Sequence, residues 1–357
     1  MNVDTIAVSD RRSSSFTGGT KIKRPQNLPA LTGLRFFLAL WVVFHHLTGP
    51  GMMLASYANG LIRGGYLAVT TFFVLSGFVL TRGYAQTNWT LPSLKRYAAA
   101  RFARIYPVYL LSLAAVAPFI AADPTPGKPF YLAAHISLLQ GWLGAIPVNW
   151  NTPAWSLSCE AFFYAVFPLA IALLPKPKWT ATLLLAAAAT CLTRLLWRIG
   201  VSDGVKPLIH LSDFLMGIAA AGVYDLLLRR GRKAPKGWWL YLPAGVLALI
   251  VIADPRLLPA PLDITTTLRP LNALVLIGLA LGGGIVARVL STPFCEFLGK
   301  CSYALYIMHV PLLWWYLRLV HRPSPAVYLA AAVALSALVY RFIEEPANRR
   351  LRRPYSP

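Results

Sequence analysis

Residues 31–49 read LTGLRFFLALWVVFHHLTG, a segment that is apolar enough to cross a bilayer as one helix. It also holds Arg35 near one end and His45 and His46 near the other. An ionisable group inside a membrane span is costly, about 2.5 to 3.5 kcal/mol for a central Arg on insertion scales, and it marks a candidate functional site. The segment therefore predicts a membrane protein whose buried polar residues serve a function.

The composition of the whole chain supports this prediction. Of its 357 residues, 57% are hydrophobic and 13% are charged, which is typical of a polytopic membrane protein and not of a soluble domain. The formal net charge of +22 comes from Lys and Arg in short runs between apolar segments, where topology signals and contacts with anionic lipids occur. No nucleic-acid-binding motif accompanies them, and the four cysteines show no metal-site spacing. We expect a lipid bilayer as partner, no nucleic acid and no bound metal.

Apolar windows of about 17 to 25 residues predict ten transmembrane helices. They lie near 31–49, 66–84, 104–122, 154–174, 179–198, 208–227, 238–253, 271–289, 302–320 and 325–343. A shorter apolar segment, 130–147, would place the basic loop 229–236 outside if it crossed, against the positive-inside tendency. We therefore predict an all-α transmembrane bundle of about ten spans with both termini cytoplasmic, and 130–147 as a lateral or re-entrant element on the outer face.

The chain divides into one membrane domain and two polar ends. Residues 1–27 are polar and contain Ser, Lys and Arg, which predicts a disordered cytoplasmic tail. Residues 28–347 form the predicted transmembrane domain, and 348–357 form a basic cytoplasmic tail.

Two predicted helices carry candidate catalytic residues. Arg35 and His46 are eleven residues apart, so they share one face of a helix with His46 about 16 Å further out. Glu160 is the only acidic residue in NWNTPAWSLSCEAFFYAVFP, and His46 is its nearest partner by predicted depth. A carboxylate that orients an imidazole is what general-base catalysis on a hydroxyl requires. A structural hydrogen bond between two helices is the alternative.

A basic pair follows the second predicted helix. Arg101 and Arg104 in LKRYAAARFARIYPVY are spaced i, i+3, so one helix face would present both guanidiniums at the cytoplasmic membrane edge. A phosphorylated ligand would fit there, with Arg35 at similar depth. A topology and lipid-anchor cluster is the alternative for the pair.

Further residues are candidates for substrate or donor binding. They are Ser76, Gly77, Trp155, Ser156, Ser158 and His309. Ser76 and Gly77 lie at mid-depth, where small residues permit close helix packing or leave room for a ligand. For His309 a buried packing role is equally open. Glu344 and Glu345, beside Arg341 and Arg349, are expected to form exposed ion pairs at a helix end.

These motifs resemble those of a known family, the membrane-bound acyltransferase 3 proteins. LxGLR…VVFHH, with Arg35 and His46 as R-x10-H, resembles the opening motif of that family. FFVLSGFVLT resembles its second-span signature, RFARIYP its RxxR motif, NTPAWSLSCEAFFY its WSLSxE motif, and CSYALYIMHVPLL and RFIEEPANR its last two helices. The resemblance runs in the expected order from residue 28 to 350.

The resemblance implies ten core helices in a bacterial cytoplasmic (inner) membrane. It implies transfer of an acyl group, commonly acetyl, from cytoplasmic acyl-CoA to a hydroxyl on an envelope carbohydrate or similar acceptor. His46 would be the essential histidine, Glu160 the motif carboxylate, and Arg101 and Arg104 the donor-side residues. The family often has a second acid after the motif Glu, where this chain has Ala161.

The hypothesis is an O-acyltransferase in which His46, oriented by Glu160, deprotonates the acceptor hydroxyl. The donor is acyl-CoA, with acetyl-CoA expected, and its pantetheine arm extends past Ser76 and Gly77. An acyl-histidine intermediate is a variant of this hypothesis. The sequence contains neither a GxSxG nor an HExxH motif, which argues against a hydrolase or a metalloprotease. The alternatives from other classes are a transporter or flippase of a glycan or lipid intermediate, and an acyltransferase-like scaffold or sensor. The acceptor, the acyl group and the oligomeric state lie beyond the sequence.

Overall fold

The computed structural model describes residues 28–57, 59–144, 150–173, 178–231, 235–257 and 264–352. The predicted tail 1–27, and residues 353–357 of the predicted basic tail, lie outside these ranges. Within them the chain is helical and contains no strand, as the apolar windows predict.

In this described part of the chain, a helix of at least 15 residues lies at each of the ten predicted positions. The helices are α1 (Pro29–His46), α2 (Ala68–Tyr84), α3 (Leu91–Ala122), α4 (Trp155–Leu173), α5 (Lys178–Arg198), α6 (Leu211–Arg229), α7 (Trp238–Ala253), α8 (Ile264–Leu281), α9 (Pro293–Leu319) and α10 (Pro325–Val339). Seven helical stretches of the described residues are long and apolar enough to cross a membrane, and α1, α7 and α9 are not among them. The ten-span count and the cytoplasmic side of the termini stay predictions.

In its described residues, 130–144, the segment predicted as a lateral element contains only short helices, and residues 145–147 lie outside the described ranges. Lys128–Ile136 spans 9 residues, or about 13 Å at 1.5 Å per residue, less than half of the hydrocarbon thickness of a bilayer. The following turn is fixed to the start of α4, because the Gln140 amide donates to the Ala154 carbonyl (2.8 Å) and the Gly141 N–H donates to Ser158 Oγ (3.1 Å). Ser158 therefore holds this segment in place.

The end of α3 is tied to the chain that precedes α4. The Trp150 indole donates to Asp123 Oδ2 (3.0 Å), and the Thr125 N–H donates to Asp123 Oδ1 (2.8 Å). These hydrogen bonds hold the pKa of Asp123 below its usual value, and those from Thr125 have the largest effect. The carboxylate therefore stays an ionised acceptor.

Helices α1 and α9 form a close parallel pair. A Cβ at Gly299 would overlap the carbonyl oxygen of Thr32, so the two backbones approach each other as small residues permit. Thr32 lies beside Gly299 near the start of both helices, and His46 lies beside His309 further along. The parallel pairing therefore carries Arg35 and His46 along one wall of α9.

Helices α2 and α6 form a second parallel pair through two glycines. A Cβ at Gly77 would overlap the Phe214 carbonyl oxygen, and one at Gly217 would overlap the Val74 carbonyl oxygen. The contacts of Gly77 are those of the packing role that the sequence allowed for it, and the residue lines neither of the two cavities described below. Its neighbour Ser76 points to the other side of α2, into the cavity described below.

Candidate functional site

A cavity of about 110 Å³ lies between α1, α2, α3, α4 and α9. It brings together five of the predicted site residues, Arg35, Ser76, Arg101, Arg104 and Glu160. Its remaining wall includes two tyrosines and an apolar side from α2, namely Tyr164, Tyr303, Phe72, Leu75, Val79 and Leu80. We call this space the inner cavity, because three guanidiniums line it at the predicted cytoplasmic end of the bundle.

A smaller cavity of about 40 Å³, the central cavity, continues from it along α9. The two cavities share Arg35, Phe72, Glu160 and Tyr303 as walls. The central cavity adds Ser156 from α4, Ser302 and Tyr306 from α9, and the apolar residues Val69, Phe73 and Leu157. A row of side chains thus leads from the arginines towards the middle of the bundle.

The two arginines of the RxxR motif have different surroundings. The Arg101 guanidinium lies over the rings of Tyr84, Tyr97 and Tyr164 at 5.5 to 5.8 Å, as cation–π pairs do. Arg104 instead forms an ion pair with Glu344.

The pairing of Glu344 corrects the expectation of an exposed acid. Its side chain is 1% exposed and faces Arg104, whereas Glu345 takes both predicted partners, Arg341 (2.9 Å) and Arg349 (2.6 Å). The π-helical turn Tyr340–Glu344 rotates Glu344 inward, because one extra residue is inserted into the helix there.

Glu160 lies with the arginines and not with His46. Its carboxylate accepts a hydrogen bond from the Tyr164 hydroxyl (2.9 Å) and lines the same two cavities as Arg35. The sequence placed Glu160 in the outermost turns of its helix. The chain just before α4 is buried, and the Asn151 amide donates to the Ile307 carbonyl (3.0 Å) in the middle of α9. The start of α4 is therefore enclosed by protein.

The structure brings His46 to His309. Nδ1 of His46 is 2.9 Å from the Val42 carbonyl oxygen, and Nδ1 of His309 is 2.8 Å from the Tyr306 carbonyl oxygen. A carbonyl only accepts, so each Nδ1 carries the proton and donates it. The Nδ1–H of His46 is therefore shared between the Val42 carbonyl oxygen and Nε2 of His309, which lies 3.2 Å from Nδ1. Nε2 of His46 is left unprotonated, the form that a general base needs.

Nε2 of His46 is not part of either cavity as they stand. The central cavity ends at Tyr306, whose ring centroid is 6.4 Å from that of His309 and 5.8 Å from that of Phe72. The Tyr306 hydroxyl donates to Ser156 Oγ (2.9 Å), and Ser156 donates to the Pro153 carbonyl (2.9 Å). This hydrogen-bonded pair separates the central cavity from the two histidines.

Trp155 lies outside both cavities. Its ring packs against His210 (5.2 Å) and Phe73 (6.2 Å), and the Lys206 ammonium sits 5.3 Å from its centroid. His210 is in turn held by Asp213 (2.8 Å), which also pairs with Arg269 (2.6 Å). Trp155 thus borders the site from the side of α6.

Sequence reasoning missed one polar group at the centre of the site. Ser302 is 1% exposed, lines the central cavity, and its hydroxyl has no hydrogen-bond partner among the described residues. Tyr303 and Tyr306 share its helix and the same cavity. All three lie in CSYALYIMHVPLL, where the sequence singled out only His309 because histidine is the rarer residue in a membrane span.

The whole site lies inside the region that a known family covers. The acyltransferase 3 family model, described as "Acyltransferase domain", matches residues 28–341. The Acyltransferase MdmB of Streptomyces mycarofaciens is 30% identical over 381 residues, which cover 93% of this chain and 95% of that protein. The "Putative O-acetyltransferase SACOL0978" of Staphylococcus aureus (strain COL) is 23% identical over 371 residues, and the match covers 93% of this chain but only 59% of that protein. No solved structure matches the chain.

Proposed function

Because the chain belongs to the acyltransferase 3 family, we propose that it is an integral membrane O-acyltransferase that moves an acyl group from cytoplasmic acyl-CoA to a hydroxyl of an envelope or exported carbohydrate. Acetyl is the proposed acyl group, and a relative named as an O-acetyltransferase supports it. The bundle of apolar helices supports a place in a membrane, and we propose the bacterial cytoplasmic membrane with ten spans and both termini inside.

The row of cavity-lining side chains from Arg101 to Tyr306, which ends against the pair of histidines, is the observation that carries the proposal. It provides cationic groups at one end, a polar middle and an imidazole base at the other end. An acyl thioester with a phosphorylated carrier has its charge at one end and its reactive carbon at the other, so it matches this order of groups.

The donor phosphates bind in the inner cavity on Arg101, Arg104 and Arg35. A guanidinium presents paired N–H donors to phosphate oxygens, which a surface lysine does not. Glu160 holds negative charge near Arg35 and accepts from Tyr164, so its proposed role is to orient the donor-side arginine. We propose this role for Glu160 in place of the contact with His46 that the sequence predicts.

The thioester lies in the central cavity with its carbonyl oxygen at Ser302. The buried, unpartnered hydroxyl can donate to an oxygen on which negative charge develops, as oxyanion-hole donors do. Neither cavity reaches the volume of about 300 Å³ at which ligand pockets begin. Donor binding therefore requires side chains that line both cavities to move, and His46 reaches the thioester only when the hydrogen bond between Tyr306 and Ser156 opens.

Nε2 of His46 is the general base. It takes the proton of the acceptor hydroxyl as the oxygen attacks the thioester carbonyl carbon. The carbon–sulfur bond then breaks, and the CoA thiolate takes the proton from His46, so that the products are an ester and free CoA thiol. His309 and the Val42 carbonyl accept from Nδ1–H of His46 throughout, which leaves Nε2 available to the acceptor hydroxyl.

Mass spectrometry of envelope glycans tests the proposal in cells. The strains compared carry a deletion of the gene, the wild-type gene, His46→Gln, or His45→Gln. His45 is the matched control, since its Nδ1 bonds the Arg63 carbonyl (2.6 Å) on another side of α1. We expect one O-acyl group to disappear in the deletion and His46→Gln strains and to return with the wild type and His45→Gln. A deletion strain that keeps every O-acyl group would overturn the proposal.

A further inference from the structure

A second cavity system lies on a different side of α1 from the one that carries Arg35. A cavity of about 360 Å³ is enclosed by α1, α2, α7, α8 and the short helix Gly284–Leu290. Its walls are mostly Leu, Ile, Val and Ala, and the other lining residues are Trp41, Thr71, Tyr241, Gly245 and Asn272. None of the residues assigned above to acyl transfer lines it.

This cavity opens towards the lipid and not towards the centre of the bundle. Helix α7 packs mainly on α8 and the short helix Gly60–Arg63, so it lies at the edge of the fold. Its residues Leu242, Val246 and Leu249 belong to the cavity wall and are 42%, 54% and 51% exposed. A molecule that enters here comes from the hydrocarbon of the bilayer.

One polar group in the cavity has no partner. Trp41 and Tyr241 line the cavity, but their donors are used by the carbonyls of Leu61 (2.7 Å) and Gly283 (2.9 Å). Asn272 is 8% exposed, also lines the cavity, and its amide nitrogen has no hydrogen-bond partner in the part of the chain that the structure describes. A buried N–H without an acceptor is unfavourable, so the site favours a ligand that carries an oxygen.

The depth of Asn272 suits the ester of a lipid. It is the ninth residue of α8, about 12 Å along the helix from Ile264 at 1.5 Å per residue. The polar interface takes up about 5 to 7 Å on each side of the hydrocarbon. With the start of α8 taken as the water edge of the interface, Asn272 lies about one turn inside the hydrocarbon boundary, within reach of an ester carbonyl whose chain is drawn into the cavity.

We propose that this cavity binds one ester-linked acyl chain of a bilayer lipid, with the ester carbonyl accepting a hydrogen bond from the Asn272 amide. The proposal does not depend on acyl transfer, because the lipid is bound and not consumed.

Native mass spectrometry of the full chain tests it with two probes. These are dipalmitoyl phosphatidylethanolamine and its di-O-hexadecyl ether counterpart, which differ only in the carbonyl groups. We expect the wild type to retain one ester lipid per chain and to bind the ether lipid about fivefold more weakly, as the loss of one hydrogen bond predicts.

Two variants distinguish the contribution of the cavity from that of the Asn272 amide. Gly245 lines the cavity, and a Cβ there would meet only Val275 Cγ2, at 4.0 Å, so Gly245→Leu fills the space without a clash. We expect it to lose both lipids, whereas Asn272→Leu binds both equally. Gly83→Leu is the matched control, because Gly83 also has open space around it and does not line the cavity.

Three results would overturn the proposal. They are wild-type protein that shows no preference for the ester lipid, lipid retention by Gly245→Leu equal to that of Gly83→Leu, and a preference for the ester lipid that persists in Asn272→Leu.

Discussion

Nδ1 of His46 lies 3.2 Å from Nε2 of His309, across the interface of two parallel helices. In a Ser-His-Asp triad a carboxylate accepts the Nδ1–H of the base and stabilises the imidazolium that forms. Here the acceptors are the Val42 carbonyl oxygen and a neutral imidazole, so no anion cancels the positive charge that His46 gains. A base of this kind returns its proton readily, which suits a reaction that ends with protonation of a thiolate.

The pairing predicts that His309 acts by positioning His46. His309→Leu removes one of the two acceptors of Nδ1–H and leaves only the Val42 carbonyl, and we expect kcat to fall by roughly 10- to 100-fold, as for other groups that orient a functional histidine. The KM for acyl-CoA should not change, because His309 is remote from the arginines. His309→Gln keeps an acceptor oxygen and should retain most of the activity. The measurement is release of CoA thiol by the purified protein in liposomes with an envelope glycan extract as acceptor. Equal losses in the two variants, or a raised KM, would contradict the positioning role.

Ser302 is predicted to stabilise the transition state. Ser302→Ala removes the only free hydroxyl among the described residues of the central cavity, and we expect kcat to fall by about 100-fold at unchanged KM, as for loss of an oxyanion-hole donor. Ser212→Ala is the control. The Ser212 hydroxyl is equally buried and also has no partner among the described residues, but it lies outside both cavities. Similar rates for the two variants would remove Ser302 from the mechanism.

The ion pair between Arg104 and Glu344 predicts competition with the donor. Glu344→Gln frees the guanidinium for phosphate, so the KM for acyl-CoA should fall roughly threefold to tenfold, and more at low salt. The same change leaves a buried charge without its partner and should lower the thermal stability. Glu345→Gln, which breaks only exposed pairs, should change neither quantity. A donor KM that rises in Glu344→Gln would place the phosphates elsewhere.

The positions of the helices could be predicted from the sequence, because burial in lipid demands long apolar segments whatever their neighbours are. The limit of that reasoning is visible in Glu160. Hydropathy placed the start of α4 at the membrane surface, whereas Asn151 and Trp150 before it are buried in the bundle. An apolar window does not show whether lipid or protein surrounds a helix, so it could not indicate that Glu160 lines a cavity with the arginines.

The composition of the site could be predicted only in part. Arg35, Arg101 and Arg104 share a cavity as their common depth indicates. The partner of His46 could not be found in this way, since it depends on which helix packs beside α1. That is decided by the contact of Gly299 with Thr32, a detail of shape that residue types do not reveal.

Gly77 distinguishes the two interpretations that the sequence left open for it. A Cβ there would overlap the Phe214 carbonyl and lie 3.0 Å from the Ile218 nitrogen, so Gly77→Ala should push α2 away from α6. We expect the free energy of unfolding to fall by roughly 1 to 3 kcal/mol, the usual cost of overpacking. Gly83→Ala on the same helix meets nothing within 4 Å and should not be destabilising. Thermal unfolding of both variants in detergent, with the CoA-release assay beside it, gives the comparison. If Gly77→Ala lost activity at unchanged stability, the glycine would be making room for a ligand, and the packing of α2 on α6 would not explain it.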